Sequence, residues 1–167
     1  MTTPVAADAV ARSGAYRRLT NAERALARTV FGDAIDYGAV EVRNRKWAFF
    51  QPARTVMAPM GHLHFNPRGG LYCEDFCDAA IERQGLFIHE MTHVWQAQTR
   101  GRWFLVLMRW PTDRYAYTLR PGWTLDRYGL EQQAEIVRHY FLLSRGHAVP
   151  GAPPIESYRA ILPFELG

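Results

Sequence analysis

The alternation of apolar and polar positions divides the chain into three helical stretches and a few short extended ones. In "LTNAERALARTVFG" Leu26 and Val30 fall four apart, Thr20 and Glu23 have capping-box spacing, and Gly32 supplies a stop, which predicts a first helix. Val40 and Val42 then alternate with polar neighbours as a half-buried strand does, and "RNRK" reads as an exposed turn. A second extended stretch runs from about Thr55 to Phe65, broken at Pro-Met-Gly, with Leu63 and Phe65 alternating with His62 and His64. "NPRGG" ends it, and a long helix is expected to begin between Cys73 and Gly85. Tyr115, Tyr117 and Leu119 again show period two, which predicts a further strand before the turn "RPGW". The last strong helix is "GLEQQAEIVRHYFLLSRG", with Leu130, Ala134, Val137 and Phe141 on one stripe and Gly146 closing it. The tail after Pro150 is proline-rich, then apolar, and is expected to strap across the surface. The pattern is α+β, with a few strands and three main helices. Residues 1–15 are expected to form a flexible leader, and 16–167 a single domain.

The long central helix carries "HEMTH". Residues four apart on a helix share a face, so His89 and His93 can both aim a ring nitrogen at one ion. Glu90 lies about 100° further round and can reach a water on that ion without ligating it. This is the H-E-x-x-H arrangement in which zinc acidifies a water and the glutamate takes its proton. A catalytic site needs a third protein ligand and an open position. The metzincin continuation would place glycine and histidine where the chain has Gln96 and Thr99, which excludes that class. "EQQAE" on the later helix offers Glu131 and Glu135 on one face. Position favours Glu131 as the third ligand and Glu135 as the carboxylate that orients a ligand imidazole. The plain alternative is two solvated carboxylates.

Composition alters this picture little. Of the 20 basic residues only Lys46 is a lysine, and the net charge of +4 suits a solvated surface better than specific nucleic-acid binding. The N-terminus has neither a basic start nor an apolar segment of secretory type, and the longest apolar run, "WFLVLM", is too short to span a bilayer. No transmembrane segment is expected. The cytoplasm is the default location, with export by a signal-independent machine compatible with it. "WFLVLM" is expected to pack internally. Cys73 and Cys77, spaced C-x3-C, are expected to be reduced, half-buried thiols. His62, His64 and His139 are expected to be solvent-exposed. Tyr115, Tyr117, Tyr128 and His147 are all candidates to stabilise an oxyanion.

"HEMTHVWQ" followed by "YGLEQQAEIVRHYF" resembles the gluzincin pattern, in which a glutamate on a downstream helix completes an HExxH site. More narrowly, "LTNAERALARTVFGDAIDY", "GGLYCEDF", the HExxH helix and "EQQAEIV" are similar to small bacterial proteins labelled Vgr-related or Rhs-associated, found near type VI secretion components. The gluzincin resemblance implies a zincin-like domain with Zn2+ held by His89, His93 and Glu131 and with Glu90 as general base. Glu135 stands where aspartate is frequent in that class. The implied function is a zinc metallopeptidase acting on a peptide or protein substrate. The narrower resemblance implies a Vgr or Rhs secretion-system partner. It also supports a second reading, a non-catalytic zinc-containing accessory or adaptor protein.

Overall fold

The capping box expected at Thr20 forms. Thr20 Oγ1 accepts from Glu23 N at 3.0 Å while Glu23 Oε2 accepts from Thr20 N at 2.9 Å, starting helix α1 (Asn21–Phe31). The computed structural model describes residues 16–108 and 115–165, so the expected leader 1–15 lies outside the described residues. Glu23 does more than cap. Its carboxylate is fully buried and takes both Arg17 terminal nitrogens at 2.8 Å, plus Phe76 N at 3.0 Å. Arg17 in turn donates to Cys73 O at 2.8 Å and Tyr72 Oη at 3.2 Å. One buried ion pair thus joins strand β1 (Tyr16–Arg18), α1 and the loop that leads into the long helix α2 (Ile81–Arg100).

The sheet has four strands in the order β1-β2-β4-β3, with β2 at Glu41–Arg43, β3 at Val56–Met57 and β4 at Leu63–Phe65. β1 runs antiparallel to β2 (Arg17 opposite Val42), β2 parallel to β4 (Val42 opposite Leu63), and β3 antiparallel to β4 (Met57 opposite His64). β4 is flanked on both sides and wholly buried, so His64 is 5% exposed rather than solvated, a correction to the expectation. Burial first, then the charge of Arg43, pushes its imidazole down to about 4, keeping it neutral. Phe65 stacks on Phe76 at 5.4 Å and Phe76 on Phe87 at 5.2 Å, tying β4 to α2 through one column of rings.

Helix α3 (Phe104–Met108) is a short turn of the "WFLVLM" run. Leu105 is buried, but Trp103 and Leu107 are exposed, so the expected internal packing holds only in part. Residues 115–120 form no strand, contrary to the period-two reading. Side chains satisfy this stretch instead: Ala116 O accepts from Gln132 Nε2 at 2.7 Å and Arg120 N donates to Tyr128 Oη at 2.9 Å. Helix α4 (Leu130–Ser144) packs along α2, and a Cβ at Gly85 would stand 3.3 Å from Leu142 Cδ2, so glycine lets the two axes close up. After the short helix α5 (Ile155–Arg159) the tail straps across the surface as expected, with Ala160, Pro163 and Glu165 exposed and alternate apolar residues turned inward. Leu162 and Phe164 are buried, with Phe164 edge-on to Phe31 at 5.0 Å and to Trp95 at 5.1 Å.

Because removing Glu23 takes the counter-ion from the largely buried Arg17 guanidinium and the acceptor from Phe76 N, Glu23→Ala is expected to destabilise the fold by about 3–5 kcal/mol. Urea unfolding should show the midpoint falling accordingly. A change below about 1 kcal/mol would show that the pair contributes no more than a surface bridge does.

Candidate metal centre

The middle of α2 is buried on nearly every side, with Phe87, Ile88, Met91 and Val94 each fully enclosed. Among them the helix places His89, Glu90 and His93, all at most 5% exposed. Opposite, Glu131 sits in the first turn of α4, where the helix's unsatisfied N–H groups favour a carboxylate. His89 Nε2 lies 3.2 Å from Glu131 Oε2 and His93 Nε2 lies 3.3 Å from the same oxygen. A tetrahedral zinc with bonds of about 2.0–2.1 Å sets neighbouring ligand atoms about 3.3 Å apart. The three residues form the one group of metal-ligating type found among the described residues.

Charge makes the same demand. Burial would depress His89, but the carboxylates of Glu131 and Glu135 at hydrogen-bonding range and the charge of Glu90 outweigh it, raising the imidazole to about 9. The negative field that draws a proton there would equally favour a cation. Glu90 Oε2 and His93 Nε2 are buried with no hydrogen-bond partner among the described residues, which an ion and its water would satisfy. The donor set of two imidazoles and one carboxylate, with no fourth protein ligand in the group, fits zinc in an open site.

Two sets of contacts orient the imidazoles. His93 Nδ1 lies 2.8 Å from Gln96 Oε1. The Gln96 amide cannot turn round, because its Nε2 donates to Gln133 Oε1 at 2.9 Å and to Leu130 O at 3.2 Å. Gln133 is fixed in the same way, donating to Tyr128 O at 2.7 Å. His93 Nδ1 must therefore carry the hydrogen, leaving the Nε2 lone pair for a metal. Sequence reasoning considered Gln96 only as a missing glycine and did not consider Gln133. An amide one turn after each of His93 and Gly129 was the available signal.

His89 Nδ1 faces Glu135 Oε1 at 3.2 Å, off the line of a well-formed hydrogen bond. Glu135 is further held by Arg138 at 3.1 Å and by His139 Nε2 at 3.3 Å. Burial opposes its ionisation, but His89 outweighs that and holds the carboxyl below its usual range. His139, expected to be exposed, joins a chain instead: Nδ1 lies 2.6 Å from Tyr117 Oη, which lies 2.8 Å from Tyr158 Oη. Burial, then Tyr158, raises Tyr117 well above the ordinary phenol range. A cleft of about 840 Å³ opens beside this chain, lined by Tyr115, Tyr117, Leu119, Glu135, His139 and Tyr158.

Of the oxyanion candidates, Tyr115 stacks 6.0 Å from the His89 ring and is half exposed. Tyr117 is engaged by His139 and Tyr158, Tyr128 is buried against Arg120 N, and His147 is exposed on the turn after α4. His62 is half-buried and joins no metal-ligating group among the described residues. Cys73 and Cys77 are free and half-buried, as expected, and burial with Asp75 beside it pushes the Cys77 thiol up to about 12.

The fold superposes on the effector domain of Pseudomonas aeruginosa VgrG2b with a TM-score of 0.71 and 38% sequence identity, covering 90% of this chain and 84% of that one. The chain is also 45% identical over 141 residues to the type VI secretion system spike protein VgrG2b of Pseudomonas aeruginosa. That match takes in 77% of this chain and spans only 13% of the spike protein. No family model matches the chain.

If Gln96 sets the His93 tautomer, Gln96→Leu should weaken zinc binding about 10–100-fold, judged by competition with a chromogenic chelator. Unchanged affinity would mean that His93 needs no such partner.

Proposed function

The chain belongs to the family of the VgrG2b effector domain, and from that membership we propose that it is a zinc-dependent hydrolase of the metallopeptidase type, cleaving a peptide or peptide-like bond. The observation that carries the proposal is the convergence of His89 Nε2, His93 Nε2 and Glu131 Oε2 at tetrahedral spacing beside a buried Glu90. In this reading the domain is zincin-like, with its ligands shared between α2 and α4.

His89, His93 and Glu131 would hold the ion, and bound zinc would supply Lewis acidity to a substrate carbonyl and acidity to a water. Glu90 is one residue from a ligand and has an unpartnered oxygen, so it would be the general base, holding and handing on a proton at Oε2. Gln96 fixes His93, and Glu135 holds His89 from behind. Of the four oxyanion candidates Tyr115 would be our choice, supported by its stacking on His89.

Delivery is proposed to follow the VgrG relatives, by type VI secretion with a Vgr-type carrier, after synthesis in the cytoplasm. No helix among the described residues is long and apolar enough to cross a membrane. The non-catalytic accessory reading would call for a fourth protein ligand closing the site, whereas the group among the described residues has three.

Glu90→Gln is expected to lower hydrolysis of a peptide library by at least about 100-fold while zinc stays near one equivalent. Glu131→Ala should lose the zinc. Wild-type turnover in Glu90→Gln would sink the mechanism, and zinc retained in Glu131→Ala would sink the ligand assignment.

A further inference from the structure

We propose that the loop over residues 44–50 is a docking surface for an anionic phospholipid bilayer. It lies apart from the metal centre in composition, since it contributes none of the three ligand residues.

The loop presents large apolar groups outward: Phe49 is 90% exposed and Phe50 60%. Single exposed apolar residues are ordinary, but two adjacent exposed phenylalanines are not accounted for by core packing. Nor is the turn loosely attached. Gln51, 2% exposed, accepts from Trp47 N at 2.8 Å and donates to Thr55 O at 2.8 Å and His64 O at 2.9 Å. Asn66 Nδ2 donates to Gln51 O at 3.0 Å. A buried amide clamp on the central strand therefore supports the turn. Trp47 and Phe49 each meet Phe50 edge-to-face, at 6.3 Å and 5.3 Å, so the three rings form one wedge.

The stretch of sequence around the wedge carries charge of one sign. Between Glu41 and Glu74 there is no acidic residue, while Arg43, Arg45, Lys46, Arg54 and Arg68 all fall in that interval. Arg43 is paired with Glu41 at 2.6 Å, but the other four have no carboxylate partner among the described residues. The turn bearing Arg68 is pressed against the backbone at Ala53, where a Cβ on Gly69 would come within 1.7 Å of Ala53 O. That close approach brings together the backbone segments that carry Arg54 and Arg68. A groove of about 640 Å³ runs between the turns, lined by Arg45, Lys46, Trp47, Phe49 and Arg68.

Exposed phenylalanines beside a groove lined by Arg45, Lys46 and Arg68 match the chemistry of a membrane interface, hydrocarbon next to phosphate. The groove fits a phosphodiester headgroup, and the two phenylalanines would enter the acyl layer. Single-stranded nucleic acid would also meet cations and aromatics, but a base covers only one ring face. A bilayer takes up the whole exposed area of both adjacent phenylalanines, which favours the bilayer.

The test is co-sedimentation of the whole chain with phosphatidylcholine vesicles, and with vesicles in which about a third of the lipid is phosphatidylglycerol. Wild type should pellet with the anionic vesicles, release as salt rises, and stay mostly soluble with the neutral ones. Phe49→Ser with Phe50→Ser should reduce partitioning by about tenfold per ring. Arg45→Glu with Lys46→Glu should reduce it by at least roughly fivefold per residue. Thermal midpoint and bound zinc should be unchanged in both, since these side chains lie outside the core. Failure of wild type to bind anionic vesicles, or equal binding by either variant, would overturn the proposal. So would glycerol phosphate displacing the protein when loss of the two phenylalanines has no effect, because that marks a phosphate pocket only. Binding of an oligonucleotide, abolished by the same variants without any vesicle binding, would reassign the surface to nucleic acid.

Discussion

Glu90, Glu131 and Glu135 are drawn together in the contact between α2 and α4, and the rest of the centre is arranged around their charge. Glu90 and Glu131 are 4% and 1% exposed, and burying carboxylates costs several kcal/mol each unless neutralised. Arg138 and His139 meet Glu135, while Glu131 meets the imidazoles of His89 and His93. His89 is pulled toward protonation as a result, to about 9. A divalent cation between the two imidazoles and Glu131 would relieve this imbalance without a proton. Gly85 allows the helices to approach closely enough, and the Gln96–Gln133 amides complete their contact while orienting His93.

Local features were legible in the chain. The Thr20–Glu23 box announced α1 because a cap involves residues within one turn of each other. His89, Glu90 and His93 could be placed on one helix by spacing alone, and Glu131 and Glu135 on another. What remained hidden depends on tertiary neighbours. The full role of Glu23 requires Arg17 and Phe76, and the role of Gln96 requires α4. His64 looked solvated because strand alternation does not show that β4 is flanked on both sides. The period-two tyrosines looked like a strand, but no strand among the described residues pairs with them. Tyr117 instead turns to His139 and Tyr158.

The sheet and the helices hold different functional elements of the molecule. The α2–α4 contact holds the metal-ligating group, and the buried Gln51 clamp on β4 holds an aromatic, cationic turn away from the core. In the proposed reading, an attachment surface separate from the metal centre would let the protein bind a membrane without obstructing that centre.

Anomalous diffraction from crystals of the purified protein, collected at the zinc edge, tests the central claim most directly. The expected map has one zinc bound by His89 Nε2, His93 Nε2 and Glu131, with bonds of about 2.0–2.2 Å, and a water within hydrogen-bonding reach of Glu90. An ion elsewhere, no ion in zinc-supplemented crystals, or a fourth protein ligand closing the site would contradict the account.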